Sequence, residues 1–185
     1  MSKLILIGGG VRSGKSAFAL QLARERGTKL AFIATAQAFD SEMEERIAAH
    51  KLERGAEFRT FEAPTKLAST LRASDSYQCV VVDCLTLWLS NLLLRGDSEE
   101  SILAAIRDVI AVPRQCDLII VTNEVGMGVV PESKLGRAFR DLAGRAHQLL
   151  ASEADEIYAA MLGCMLRLSP GPVALVPQTV QGTPS

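Results

Sequence analysis

Eight consecutive residues, Gly9-Gly10-Val11-Arg12-Ser13-Gly14-Lys15-Ser16, have the spacing G-x-x-x-x-G-K-[ST]. Glycines so placed let the backbone curl until successive amides point at one centre, where phosphate oxygens would sit. A helix starting there adds the positive end of its dipole. Lys15 would reach the β and γ oxygens of a nucleoside triphosphate, and the Ser16 hydroxyl would hold Mg²⁺. Arg12 either contacts phosphate or lies in solvent. Such a loop needs a second carboxylate to position the Mg²⁺ water shell, commonly an Asp closing a neighbouring apolar strand. Asp83, directly after Cys79-Val80-Val81-Val82, fills that place. It could instead cap the helix that follows, or do both.

Only two histidines are present, His50 and His147. Met43, Ile47, His50 and Arg54 fall at i, i+4, i+7 and i+11, so on a helix they share one stripe. An imidazole of pKa about 6.5 is a competent nucleophile at neutral pH. Lys51 and Arg54 could hold a phosphate beside it. On spacing alone, a lone histidine on an apolar helix face is more often a packed or capping residue than a functional one. His147, within a long helical pattern near Arg145 and Gln148, carries less functional signal. Asn123 and Glu124 follow an apolar strand, where a substrate group or the Mg²⁺ shell could be met. Gly126 and Gly128 would let that loop approach a ligand, or simply make a turn.

These residues need a scaffold, and the hydrophobic pattern describes one. Residues 4–7 form a short branched apolar run stopped by glycines, the mark of a buried parallel strand. A helix follows from Ser16 towards Gly27, then a strand over 30–34. Ser41-Glu42-Met43-Glu44 fits a capping box, opening a helix that runs to about Arg54. An edge strand at 58–61, a short helix at 65–71 and a strongly strand-like run at 79–82 come next. Residues 85–94 are apolar nearly all round, whereas 101–112 are ordinarily amphipathic. A strand at 118–121, a long helix over 131–152 with Pro131 in its first turn, and strands at 157–162, 166–168 and 173–176 complete the pattern. Alternation of this kind predicts an α/β fold: an open, mostly parallel sheet with helices on both faces, as in P-loop NTPases of RecA-like topology. One domain is expected over 1–168. The tail 169–185 carries four prolines and two glycines and should be loose beyond about Pro177.

With 185 residues and 48% hydrophobic content, one domain with a full core is expected. Twenty Lys and Arg against 21 Asp and Glu give no field that would draw the chain onto nucleic acid or an anionic membrane. Cys79, Cys84, Cys116 and Cys164 lack CxxC spacing, so neither zinc nor a disulfide framework is indicated. The first residues are too short an apolar run for a signal peptide, and no 18-residue apolar stretch follows, which points to the cytoplasm.

Several segments in order resemble the adenosylcobinamide kinase and guanylyltransferase family of cobalamin synthesis. They are Gly9 to Ser16, Ile33-Ala34-Thr35-Ala36, Arg46-Ile47-Ala48-Ala49-His50-Lys51-Leu52-Glu53-Arg54, Thr60-Phe61-Glu62-Ala63-Pro64, Val82-Asp83-Cys84-Leu85-Thr86, and Thr122-Asn123-Glu124-Val125-Gly126-Met127-Gly128-Val129-Val130-Pro131. The phosphate loop is shared by many families; the His50 to Arg54 and Thr122 to Pro131 segments are far more specific. The resemblance implies two reactions: phosphorylation of adenosylcobinamide by ATP or GTP, then transfer of GMP from GTP to that phosphate with loss of pyrophosphate. It further implies a guanylyl-histidine at His50 and a guanine nucleotide site lined by Ala34, Thr35, Ala36, Lys51, Leu52, Glu53, Arg54, Glu62 and Asp83, with Glu62 accepting from guanine N1 and N2. A homo-oligomer is implied too, a trimer being the candidate state. His147 departs from the polar residue expected there. A plain P-loop kinase of another small molecule would be indifferent to His50. A GTP-binding switch would carry N-K-x-D where this chain has Thr122-Asn123-Glu124-Val125.

Overall fold

The computed structural model describes residues 2–37 and 54–176. Within them the chain runs β1 (Leu4–Gly9), α1 (Lys15–Arg24), β2 (Leu30–Ala34), β3 (Phe58–Glu62), α2 (Leu67–Ala73), β4 (Cys79–Asp83) and α3 (Leu85–Arg95). It continues through α4 (Glu99–Ile110), β5 (Asp117–Asn123), α5 (Lys134–Glu153), β6 (Glu156–Met161), β7 (Cys164–Ser169) and β8 (Ala174–Val176). The strands form one sheet in the order β3-β2-β4-β5-β1-β6-β7-β8. From β3 to β6 every pairing is parallel, while β7 and β8 are added antiparallel.

The central strands β1, β4 and β5 are apolar over their buried stretches because both faces are covered. Leu4, Leu6, Val80, Val82, Leu118 and Ile120 pack on one side with Trp88, Leu92, Ile102, Ile106, Leu142 and Ala146 of α3, α4 and α5. Their alternate neighbours Ile5, Ile7, Val81, Ile119 and Val121 face Phe18, Ala19 and Leu22 of α1. Farther out, β6 reads as alternating buried and half-buried positions. Ile157 pairs with Ser169 and Met161 with Cys164, so β6 and β7 make a hairpin. Residues 174–176 pair with β7, which brings the front of the expected tail into the sheet.

Local chemistry sets the helix ends. Ser98 caps α4, accepting from the Ser101 amide, and Glu99 and Glu100 complement the dipole there. Ser133 caps α5 in the same way, so that helix starts after Pro131 and not on it. Gly96, at φ 97°, closes α3 in the left-handed conformation that glycine adopts without a Cβ penalty. The expected helix over 41–54, with its capping box, lies outside the described residues apart from Arg54. No described helix is long and apolar enough to cross a membrane.

The amino-terminal pole of the sheet is tied by charge. Glu156 accepts from Lys3 Nζ (2.6 Å), Arg26 (3.1 Å) and the Tyr158 hydroxyl (2.7 Å), and Arg26 also reaches Asp117 at 3.1 Å. The opposite, carboxyl pole carries the residues singled out above.

Candidate active site

Gly8 and Gly9 of β1 lie level with Thr122 and Asn123 of β5, and Glu124 N–H donates to Gly9 O at 2.9 Å. The phosphate loop therefore leaves the sheet from a central strand, walled on one side by the end of β5. A Cβ on Gly9 would sit 2.8 Å from Ala160 Cβ and 2.9 Å from Ser13 Oγ, so only glycine lets the chain pass there. Gly14, the N-cap of α1, is left-handed at φ 84°, as is Arg12 at φ 54°. Alternation of this kind turns amides towards one centre, the concavity that holds anions. Ser13 Oγ is buried and, among the described residues, has no hydrogen-bond partner, a polar atom within the loop left unsatisfied.

Lys15 is 7% exposed and donates to Gly10 O at 2.9 Å. Burial lowers its pKa below the ordinary lysine range, and the nearby Asp83 carboxylate works against that shift. Asp83 is level with Val121 of β5, itself level with Ile7 of β1, so Asp83 closes β4 at the edge from which the loop leaves, with β5 between them. The N-cap of α3 is Cys84, with no side-chain cap, so Asp83 is not spent on capping. Ser16, in the first turn of α1, and Asp83 offer one hydroxyl and one carboxylate. That donor set suits an ion that keeps several waters and shares the substrate's phosphates, which is how Mg²⁺ is usually bound.

Ala34, at the end of β2, is level with Glu62 on one side and Asp83 on the other. The structure thus brings Ala34, Thr35, Glu62 and Asp83 to one edge with the phosphate loop. Arg54 is 4% exposed, its guanidinium stacked 3.8 Å over the Phe32 ring and its NH1 3.4 Å from Thr60 Oγ1. It is anchored on the sheet two residues below Ala34. His50, Lys51, Leu52 and Glu53 lie outside the described residues, as do Met43 and Ile47.

A polar lattice behind this edge was not read from the sequence. Thr35 Oγ1 donates to Cys84 O (2.8 Å) and accepts from Cys84 N–H (2.9 Å). Asn91, on the apolar helix α3, donates to Thr35 O (2.8 Å) and Pro64 O (2.9 Å), fastening the ends of β2 and β3 together. Asn123 Nδ2 donates to Thr86 Oγ1 at 3.0 Å. Burial, with Asp83 adding to it, pushes the Cys84 thiol up to about 11, so it packs and does not react. The signal for Asn91 was present: a carboxamide inside an otherwise apolar helix needs partners. His147 Nε2 stands 2.7 Å from Thr122 Oγ1 at the end of β5. Burial lowers its pKa, with Glu124 opposing.

The family model described as cobinamide kinase / cobinamide phosphate guanyltransferase matches residues 5–168. The chain belongs to that family. The bifunctional adenosylcobalamin biosynthesis protein CobP of Pseudomonas aeruginosa is 43% identical, the alignment covering 91% of this chain and 98% of that protein. The corresponding CobU of Escherichia coli is 38% identical, with 89% and 99% covered. Among solved structures, the RadB recombinase superposes with TM-score 0.52 at 16% identity, covering 97% of this chain and 83% of that one. A solved ATPase domain gives 0.57 at 15% identity over 94% and 80%. Those two likenesses establish the P-loop, RecA-like fold and nothing about substrates. The family match spans β1 to the penultimate residue of β7, so all of the site-bearing edge lies within it.

Proposed function

We propose that this enzyme phosphorylates adenosylcobinamide with ATP or GTP and then transfers GMP from GTP to the resulting phosphate, releasing pyrophosphate. The observation that carries the reading is the phosphate loop with Lys15 and the carboxylate Asp83 at one carboxyl edge of the sheet, inside a chain that matches the bifunctional family from residue 5 to residue 168. The phosphate loop amides and Lys15 bind the β and γ phosphates and draw charge from the leaving group. Mg²⁺, held through Ser16 and Asp83, supplies further neutralisation when bound. The Ala34 to Ala36 turn, Arg54 and Glu62 frame the nucleotide, with Glu62 suited to accept from guanine N1 and N2.

In the second reaction His50 attacks the α-phosphorus of GTP. A nitrogen–phosphorus bond forms, the bond to the α–β bridging oxygen breaks, and pyrophosphate leaves with that electron pair. The phosphate of the acceptor then displaces histidine. Two displacements replace one direct encounter between two anions. The same reading places the protein in the cytoplasm, where nucleoside triphosphates are available, and as a homo-oligomer, a trimer being the candidate state.

The test uses GTP labelled at the α-phosphate. Protein incubated with it and Mg²⁺, then denatured, should retain an acid-labile, alkali-stable label that vanishes in His50→Ala and persists in His147→Ala. A folded, GTP-binding protein that takes up no label would leave only the kinase.

A further inference from the structure

An alcohol must lose its proton as it displaces a nucleotide from the γ-phosphorus, whereas a phosphate monoester attacks as an anion that has already lost it. The kinase step therefore calls for a proton acceptor that guanylyl transfer does not need. Strands β3, β4 and β5 each end on, or are followed directly by, a carboxylate: Glu62, Asp83 and Glu124. Asp83, which closes β4 two strands from the phosphate loop, is the candidate Mg²⁺ partner. Glu62 closes the outermost strand, with β2 and β4 standing between it and β5. Glu124 is bonded to the phosphate loop itself, through its N–H to Gly9 O at 2.9 Å.

The Glu124 side chain is also oriented. Its Oε1 accepts from the Gly126 amide at 2.8 Å, and its Oε2 faces His147 Nδ1 at 3.7 Å. The other ring nitrogen of His147 is 2.7 Å from Thr122 Oγ1, so α5 holds the imidazole against the end of β5. About a third of the Glu124 side chain, 35%, remains exposed. It is fixed from behind and open in front.

We propose that Glu124 is the proton acceptor of the kinase step, with His147 as its positioning residue, and that guanylyl transfer proceeds without it. The alcohol oxygen bonds to the γ-phosphorus, the bond to the β–γ bridging oxygen breaks, and the nucleoside diphosphate leaves with that electron pair. The alcohol proton passes to the Glu124 carboxylate and from there to solvent. This inference rests on the kinase half of the function proposed above and is independent of His50.

The experiment compares wild-type protein with Glu124→Gln and Glu124→Asp in three measurements. These are phosphorylation of adenosylcobinamide, labelling by α-labelled GTP, and guanylyl transfer to preformed adenosylcobinamide-phosphate. Glu124→Gln should lose about 10²-fold or more in the first, the usual size of a general-base effect, with the other two within about threefold of wild type. Glu124→Asp, which keeps a carboxylate, should recover part of the phosphorylation. Phosphorylation retained within about threefold in Glu124→Gln, or an equal fall in all three measurements in both variants, would overturn the assignment. Absence of label in wild type would count against the guanylyl-histidine alone and leave the kinase comparison intact.

Discussion

Asn91→Leu removes two hydrogen bonds from the lattice behind the nucleotide edge while nearly preserving volume. The Thr35 carbonyl it serves is buried, and the Pro64 carbonyl partly so. A buried acceptor left without a donor costs about 1–3 kcal/mol, and a partly solvated one about 1. The sum is roughly 2–4 kcal/mol, which for a chain of this size lowers the melting temperature by roughly 4–16 °C. The same bonds hold the turn after β2 against that after β3, the segments carrying Ala34, Thr35, Ala36 and Glu62, so GTP affinity should fall as well. Thermal unfolding followed by circular dichroism, and GTP titration by calorimetry below the transition, read the two effects separately. Leu94→Ala, at a 61% exposed position of the same helix, is the control and should stay within about 0.5 kcal/mol. An Asn91→Leu protein melting within about 2 °C of wild type, with unchanged GTP affinity, would refute the reasoning that Asn91 couples the two strand ends.

Two further predictions follow from charges at opposite poles. Lys15 has its pKa lowered by burial, so the unfolded chain binds that proton more tightly and the charge costs stability at neutral pH, a cost relieved only as pH rises towards the unfolded value. Lys15→Met should therefore melt no lower than wild type without nucleotide. It should also lose the rise of roughly 5–11 °C that saturating Mg²⁺–GTP, at about 100 times Kd, gives wild type; thermal scans with and without ligand check both. At the other pole, burial works to raise the Glu156 carboxyl, but hydrogen bonds from Lys3 and Tyr158, together with Arg26, outweigh it and hold the pKa below the usual range. Its stabilisation is present above the unfolded value of about 4.3 and is lost as pH falls through the folded one. Urea unfolding should show wild type more stable than Glu156→Gln at pH 6, with the gap closing towards pH 3.

The sheet was legible in the sequence because a parallel strand covered on both faces has no polar positions to interrupt its signal. Residues 79–82 and 118–121 read as strands from their branched apolar runs alone, and the observed strands extend them by one to three residues into polar caps. Three of those added residues, Asp83, Thr122 and Asn123, lie at the carboxyl edge, and the fourth, Asp117, at the opposite pole. Hydrophobic pattern marks the buried stretch of a strand and not where its hydrogen bonding ends. The last short strand expected, at 173–176, is present as Ala174–Val176, which is half-exposed and held by pairing with β7.

The phosphate loop was legible because its glycines answer to backbone geometry, which leaves a fixed spacing. The polar lattice answers to partners distant in sequence, such as Thr35 with Cys84, Asn91 with Pro64 and Thr122 with His147, and no local pattern announces such pairs. What the chain did offer was incongruity. Asn91, a carboxamide inside an apolar helix, broke a rule of its surroundings, and it holds the ends of β2 and β3. A buried polar group that violates its local pattern is therefore a pointer to the positioning framework, and in this chain Asn91 leads to the carboxyl ends of β2 and β3.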